Sequence, residues 1–288
     1  MSVSGFTIVR NAEILDYPFE ESVLSALPLC DEFVINCGDS DDATLGLCES
    51  LRKRFPDKIR LVCSSWEREG QLGGFQLKHQ TDRAFAECRG DWSLYLQADE
   101  VLHEADYEKI RGALADASLR EDVDGILFDY VHFYSNYSYS ITGRNWYRAE
   151  VRLIKKGRGI ESFRDAQGFR RNGKRLRALA SDARVFHYGY VRSIELMARK
   201  AEQMSQWWGE PARTRPEDLQ PKRHVGLQPF TGTHPAVMQG RVSRNAHYFD
   251  PSQAERKWDW NEIKNAVTLV WESLFHYRLG EFRNYDRI

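Results

Sequence analysis

The segment LYLQADEVLHE, residues 94–104, places acidic side chains directly after an apolar run. Residues 94–96 have the pattern of a buried strand, and Gln97, Asp99 and Glu100 follow without a glycine or proline. A second acidic cluster, DSDD at 39–42, follows another apolar run. Carboxylate oxygens suit Mg²⁺ or Mn²⁺, so two such clusters could hold a divalent cation and a phosphorylated ligand. The acids at 99–100 could instead cap a following helix, since acids favour helix N-termini.

The elements around these acids alternate between strands and helices. Apolar runs predict strands at residues 5–9, 32–36, 58–63 and 92–96, and 3.6-residue periodicity predicts helices at 17–27, after 39–42 and at 75–88. This order indicates a parallel sheet covered by helices on both faces, because each crossover between parallel strands needs a helix. Ligands of such sheets bind at the carboxyl ends of the strands, which is where both acidic clusters fall.

Composition excludes several classes of protein. The chain has 288 residues, 41 Lys plus Arg against 42 Asp plus Glu, and a formal charge of -1, so no global field favours nucleic acid. Its five cysteines show no C-x-x-C spacing, which argues against a zinc site or a disulfide framework. The first residues, MSVSGFTIVRNAE, do not show the basic and apolar regions of a signal peptide, and no apolar run reaches about 18 residues. We expect a cytoplasmic protein without a transmembrane segment, for which peripheral membrane association stays open.

Three segments in order, FTIVRNAE, VINCGDSDDAT and GDWSLYLQADE, resemble the N-terminal half of family 2 glycosyltransferases. The similarity covers roughly residues 4–190. It implies a GT-A-like α/β fold, a mostly parallel sheet flanked by helices. The expected domains are a nucleotide-sugar-binding catalytic domain at 1–190 and a helical C-terminal extension at 191–288.

The resemblance also implies the residues of a donor site. Asn11 and Asp39 would border the base and ribose, and QADE stands where the family has D-x-D. Gln97 would then contact ribose or phosphate, while Asp99 and a downstream histidine, His187, would bind Mn²⁺ or Mg²⁺. His187 could equally be a core histidine satisfied by the backbone, because it follows an apolar strand.

Two positions depart from the family's pattern. Asn36-Cys37 stands where the family usually has an aspartate, so the base of the donor stays open. The family's usual arginine before strand four is absent, and Lys78 or Arg83 is expected to contact the diphosphate instead.

Transfer of a sugar also needs a base for the incoming hydroxyl. The resemblance places this acid at Asp165, and Glu150 and Glu161 are the alternatives. Asp165 could more simply be the partner of a nearby arginine on a solvated loop. Trp146 and Tyr147 are expected to contact the acceptor, since sugars bind aromatic faces. The tryptophans of the C-terminal segment, such as Trp258 and Trp260, are instead expected to pack against the catalytic domain.

These observations predict a glycosyltransferase that moves a sugar from a nucleotide-sugar donor to a hydroxyl acceptor. The acceptor would be a glycan, a lipid-linked molecule or another hydroxyl compound, as in cell-surface polysaccharide biosynthesis, and an aspartate base would give inversion. A nucleotide-sugar-binding protein without catalysis is the alternative, because Gln97 replaces an acid. A nucleotidyltransferase is disfavoured, since the first strand does not end in a glycine-rich phosphate loop. The oligomeric state stays open.

Overall fold

The computed structural model describes residues 1–66, 74–208, 219–244, 249–256, 258–281 and 283–288. Thirteen strands lie within these ranges: β1 (Val3–Val9), β2 (Glu32–Gly38), β3 (Ile59–Ser64), β4 (Trp92–Tyr95), β5 (Glu100–Leu102), β6 (Gly125–Tyr134), β7 (Tyr139–Ile141), β8 (Ala149–Lys155), β9 (Ile160–Phe163), β10 (Gly168–Arg171), β11 (Lys174–Tyr190), β12 (Leu227–Pro229) and β13 (Tyr285–Arg287). The α-helices of the same ranges are α1 (Phe19–Ala26), α2 (Thr44–Arg54), α3 (Phe75–Glu87), α4 (Tyr107–Ser118), α5 (Ile194–Trp208), α6 (Gln239–Arg244) and α7 (Trp260–Phe275).

One sheet forms the centre of the protein, with the strand order β3-β2-β1-β4-β8-β6-β11-β10-β9. Its N-terminal part, β3-β2-β1-β4, is parallel, as predicted. Strand β8 then runs antiparallel to both β4 and β6, and β6 is parallel to the long strand β11. The predicted α/β class, a sheet flanked by helices, is confirmed.

Helices cover both faces of the parallel strands. All seven residues of β1 are buried. Phe33 and Ile35 of β2 belong to the core beneath α1 and α4, whereas Val34 belongs to the core on the opposite face, beside α3. Because side chains alternate along a strand and both sides are covered, the strand sequence is apolar throughout.

The C-terminal segment joins the same sheet. It contains α5, α6 and α7, but also two short strands, which differs from the expectation of a purely helical extension. Strand β13 pairs with β11, with Tyr285 opposite Leu176, and β12 pairs with β7. A division of the chain at residue 190 stays a prediction.

Two tryptophans before and at the start of α7 are exposed. Trp258 is 56% exposed and Trp260 is 68% exposed, so the prediction that they pack against the rest of the protein is wrong. Val267 and Leu274 of α7 are exposed as well.

Among the residues that the structure describes, no helix combines the length and the apolar character needed to cross a bilayer.

Candidate active site

A cavity of about 460 Å³ lies where β1 and β4 end. Its volume is in the range of about 300–1,000 Å³ found for small-molecule sites. Arg10 follows β1, and Gln97 and Asp99 follow β4. Asp165 comes from the β9–β10 turn and Lys200 from α5. Distant segments thus contribute polar side chains to one cavity.

Asp99 is the buried acid of this cavity, with 6% of its surface exposed. Lys200 Nζ donates to Asp99 Oδ2 at 3.1 Å, and His187 Nε2 lies 3.8 Å from Oδ1. Burial by itself would raise the pKa of the Asp99 carboxyl. Lys200, His187 in its protonated form, and Arg192 outweigh burial and hold that pKa well below its usual range. Asp99 is therefore a carboxylate at neutral pH.

Lys200 is enclosed by the same group of residues. Its ammonium group also donates to the carbonyl oxygen of Gly189 at 3.2 Å. The rings of Tyr17 and Tyr190 lie on either side, with their centroids 5.3 and 6.0 Å from Nζ. Burial lowers the pKa of Lys200 to about 8, Arg192 acts in the same direction, and Asp99 opposes them.

Arg192 is a second buried cation beside Lys200 and is 3% exposed. Its Nε donates to the carbonyl oxygen of Leu15 at 2.7 Å, and its Nη1 donates to that of Gly189. The guanidinium carbon lies 4.6 Å from the centroid of the Tyr17 ring. Within the described ranges, Arg192 Nη2 has no hydrogen-bond partner and no carboxylate forms an ion pair with this side chain.

The histidines of the site are neutral, and their tautomers follow from their partners. His132 Nε2 lies 2.8 Å from the carbonyl oxygen of Tyr147, which only accepts, so His132 carries its proton on Nε2. Its Nδ1 then accepts from His187 Nδ1 at 3.0 Å. Burial is the main cause that lowers the pKa of His132 to about 3 and that of His187 to about 4. His187 Nε2 therefore presents a lone pair toward Asp99.

Asp99 and His187 are brought together as predicted for metal ligands, but they do not complete a site. In the described parts of the chain, no three His, Cys, Asp or Glu side chains are grouped so as to hold a metal ion. One oxygen of Asp99 already accepts from Lys200. A Cβ atom on Gly189 would lie 2.6 Å from His187 Nε2 and 2.8 Å from Asp99 Oδ2, so a larger residue at position 189 would displace both side chains. These residues alone do not fit Mn²⁺ or Mg²⁺. The binding of a divalent cation stays a prediction.

Glu100 anchors the strand end and does not line the cavity. Arg152 donates to both of its oxygens, at 2.9 and 2.7 Å, and both side chains are completely buried. Tyr130 Oη donates to Glu100 Oε1 at 2.7 Å, and the backbone N–H of Gln97 donates to Oε2 at 3.1 Å. Glu100 therefore fixes the segment that carries Gln97 and Asp99.

The same anchor reaches the turn that carries Asp165. Arg152 Nη1 donates to the carbonyl oxygen of Gln167 at 2.9 Å, and Gln97 Nε2 donates to that of Ala166 at 3.4 Å. Arg164 and Ala166 have left-handed backbone angles, φ 57° and 64°, which makes the turn tight. Asp165 is held at the cavity between them.

Of the three acids considered as base, Asp165 alone lines the cavity. Glu161 lies on the exposed side of β9, and its Oε2 accepts from Lys78 Nζ at 2.8 Å. Glu150 is 1% exposed, and its Oε1 accepts from Gln167 Nε2 at 2.8 Å. The role of Asp165 as base stays a prediction, which its position favours.

Glu150 leads to a prediction about stability. Burial raises the pKa of Glu150 to about 8, against the opposing effects of Arg152 and Gln167. Since its ordinary pKa is 4.5, the folded protein holds a proton between pH 4.5 and 8 that the unfolded chain has released. The contribution of Glu150 to the free energy of unfolding is fully present below pH 4.5 and is lost as the pH rises to 8. We expect Glu150→Gln to become increasingly more stable than the wild type across that interval.

Urea unfolding at several pH values within that interval measures this difference. Glu161→Gln, which changes an exposed acid in the same way, is the matched control and should follow the wild type. If the free energies of unfolding of Glu150→Gln and the wild type differ by the same amount at every pH, Glu150 is ionised in the folded protein.

The residues predicted to bind the donor are only partly together. Gln97 lines the cavity. Asn11, 1% exposed, has its amide bonded to Asp41, so it joins the end of β1 to the loop after β2. Asp39 Oδ1 accepts from the backbone N–H of Trp66 at 3.0 Å. Lys78 is bonded to Asp82 and Glu161 and does not line the cavity.

The predicted acceptor residues Trp146 and Tyr147 both line the cavity. The Trp146 ring packs on Tyr190 with a centroid distance of 4.7 Å. The Tyr147 ring packs edge-on against Tyr130 and His132, with both centroid distances 4.7 Å. A second cavity of about 370 Å³ shares Asn145, Tyr190 and Met197 with the first.

Sequence reasoning missed Arg10, Tyr17, Arg192 and Lys200. One signal was present, because positions 197, 200, 201 and 204 of α5 all line the cavity and their spacing puts them on one helix face. The sequence shows that face, but it does not show that the face covers the ends of β1 and β4.

No protein-family model matches the chain, and neither does any curated protein. Among solved structures, the chain is similar to S. aureus TarS, with 13% identity and a TM-score of 0.40 over 72% of this chain and 39% of that one. It is also similar to a mannosyltransferase from Pyrobaculum calidifontis in complex with GDP-Man and Mn²⁺, with 20% identity and a TM-score of 0.33 over 46% of this chain and 36% of that one.

A third similar structure is glucosyl-3-phosphoglycerate synthase from Mycobacterium tuberculosis in complex with Mn²⁺, UDP and phosphoglyceric acid. Its identity is 17% and its TM-score 0.30, over 46% of this chain and 43% of that one. The chain thus spans less than half of the length of each of these solved chains.

Proposed function

We propose that this chain is a glycosyltransferase that moves a sugar from a nucleotide-sugar donor to a hydroxyl acceptor. The observation that carries the proposal is the cavity that combines the ends of β1 and β4, the cation Lys200 and the acid Asp165. Crevices at the carboxyl ends of parallel strands are the usual ligand sites of α/β sheets. The sequence resemblance supports the same class of reaction.

Each part of the cavity has a task in this reaction. Arg10, beside β1, and the aromatic walls would contact the nucleoside, while Lys200, with Arg192 beside it, would face the diphosphate as its negative charge increases on departure. Asp165 would accept the proton of the acceptor hydroxyl as it attacks the sugar. A single displacement of this kind inverts the configuration of the sugar.

The acceptor would approach from the side of the second cavity. Tyr190 and Asn145 line both cavities, and Trp146 lies against Tyr190 at their border. Aromatic faces bind sugar rings, so this border suits a glycan or another polyhydroxyl acceptor. A role in polysaccharide biosynthesis and a cytoplasmic location stay predictions.

A divalent cation in this site stays a prediction as well. Asp99 and His187 are the side chains that would hold it, and such an ion would neutralise the leaving diphosphate. Phosphate oxygens of the donor would have to complete its coordination, because the described side chains supply only this pair.

A ligand screen tests the proposed function. We expect the melting temperature to rise with some UDP- or GDP-sugars, because a ligand that binds only the folded state stabilises it. The stabilising nucleotide sugar should then be hydrolysed slowly by the protein. Stabilisation without hydrolysis or transfer would favour the binding-only alternative, to which Gln97 in the D-x-D position points. Absence of any stabilisation by nucleotide sugars would contradict the proposal.

A further inference from the structure

The buried charges beside the cavity do not balance. Among the residues that the structure describes, Asp99 is the one carboxylate in contact with the group, whereas Lys200, whose side chain is 20% exposed, and Arg192, which is 3% exposed, are both cations. Two positive charges against one negative charge leave an excess of one positive charge in a place where charged groups are poorly solvated. Uncompensated buried charge is costly unless a partner is supplied. An anionic ligand in the cavity would supply it.

The polar atoms of Lys200 are arranged for such a ligand, and Arg192 adds positive charge beside them. Lys200 Nζ contacts Asp99 and a backbone carbonyl, and an ammonium group has three donors. Lys200 lines the cavity, so its third donor is available from that side. Arg192, itself 3% exposed, lines the second cavity, and its Nη2 is buried without a partner in the described chain, so this cation adds its charge from behind Lys200. Both side chains are fixed against the Tyr17 ring, which limits the entropy lost on binding.

Lys200 contacts the carboxylate that the sequence resemblance assigns to a metal ion. Its ammonium group lies 3.1 Å from Asp99 Oδ2. A cation held by Asp99 and His187 would have to displace Lys200 or share the carboxylate with it. Asp99 and His187 are an incomplete set of metal ligands, and Lys200 already supplies a positive charge beside them.

We propose that Lys200, with Arg192 beside it, is the resident cation of the donor site and binds the diphosphate without a divalent ion. In this arrangement Asp99 orients the ammonium group and is not a metal ligand. The proposal rests on the proposed function, since it concerns the diphosphate of a nucleotide-sugar donor.

Calorimetry of the full chain with UDP, GDP, ADP, CDP and dTDP tests the proposal, each titrated in EDTA and again in MnCl₂. We expect at least one nucleoside diphosphate to bind in EDTA with nearly the same Kd as in MnCl₂. Lys200→Met, which keeps the length of the side chain, should weaken that binding about tenfold to a hundredfold, as expected for a lost hydrogen bond to a charged group. Lys200→Arg keeps the charge and should retain most of the affinity.

The control is Lys174→Met, because Lys174 is an exposed lysine at the start of β11 and should leave the Kd unchanged. A Lys200→Met protein that fails to fold is replaced by Asp99→Asn/Lys200→Met, which removes both members of the ion pair. Binding that requires MnCl₂, or binding in EDTA that Lys200→Met does not weaken, would overturn the proposal while leaving the glycosyltransferase function intact. If no nucleoside diphosphate binds in either buffer, the proposed function itself fails, and this proposal with it.

Discussion

Replacing Asp165 with asparagine is expected to lower the rate of sugar transfer about 10²–10⁴-fold, the usual contribution of a general base. The binding of the nucleotide-sugar donor should hardly change, because the base acts on the acceptor hydroxyl. Asparagine has nearly the same size as aspartate. The turn, which is held by hydrogen bonds to the carbonyl oxygens of Ala166 and Gln167, should therefore keep its shape. Hydrolysis of the donor found in the ligand screen, with water as acceptor, provides the measurement, and kcat should fall while KM for the donor stays constant.

Glu161→Gln is the matched control for this experiment. Glu161 lies on the strand that leads into the same turn, but its carboxylate contacts Lys78 and does not line the cavity. It should keep full turnover. If Asp165→Asn keeps full turnover and Glu150→Gln loses it, the base is Glu150. If all three variants keep their turnover, the reaction uses no carboxylate base among these acids.

The parallel part of the sheet was predictable because its signals are local. Strand β2 was expected at 32–36 and extends over Glu32–Gly38, and α3 was expected at 75–88 and extends over Phe75–Glu87. Each parallel strand is buried on both faces, so its apolar run is continuous and easy to recognise. The acidic strand end at Asp99 follows from the same pattern.

Strand β11 was predicted only in part, for a physical reason. It runs over Lys174–Tyr190, and its burial does not alternate regularly. The pairing of β11 with β6 shifts in register between Ala180 and Arg184, which interrupts the period-two pattern. His187 comes near Asp99 because β11 pairs with β5, where His187 lies opposite Glu100. Such long-range pairing leaves no local signal in the sequence.

The cations of the site were missed for a related reason. Arg192 and Lys200 lie in a segment that the resemblance does not reach, and their importance depends on where α5 packs. The sequence shows a helix with Met197, Lys200 and Met204 on one face. It does not show that this face covers the strand ends, since helix packing is decided by contacts far apart in the chain.

Removal of the buried ion pair behind the site should have the largest effect on stability. Arg152→Met leaves the Glu100 carboxylate completely buried without its cation, and we expect a loss of about 3–5 kcal/mol in the free energy of unfolding. Urea unfolding measures this loss. Arg120→Met, which breaks an exposed ion pair with Asp122, is the control and should leave the stability nearly unchanged.

The double variant Glu100→Leu/Arg152→Met separates the cost of an unpaired charge from the value of the pair. Replacing both members of a buried pair with apolar side chains is often neutral or stabilising, so the double variant should recover much of the stability lost by Arg152→Met. It should not recover activity, because the bond from Arg152 to the carbonyl oxygen of Gln167 that holds the Asp165 turn remains absent. A double variant as unstable as Arg152→Met would show that the lost hydrogen bonds of the two side chains, and not the unpaired charge of Glu100, account for the destabilisation.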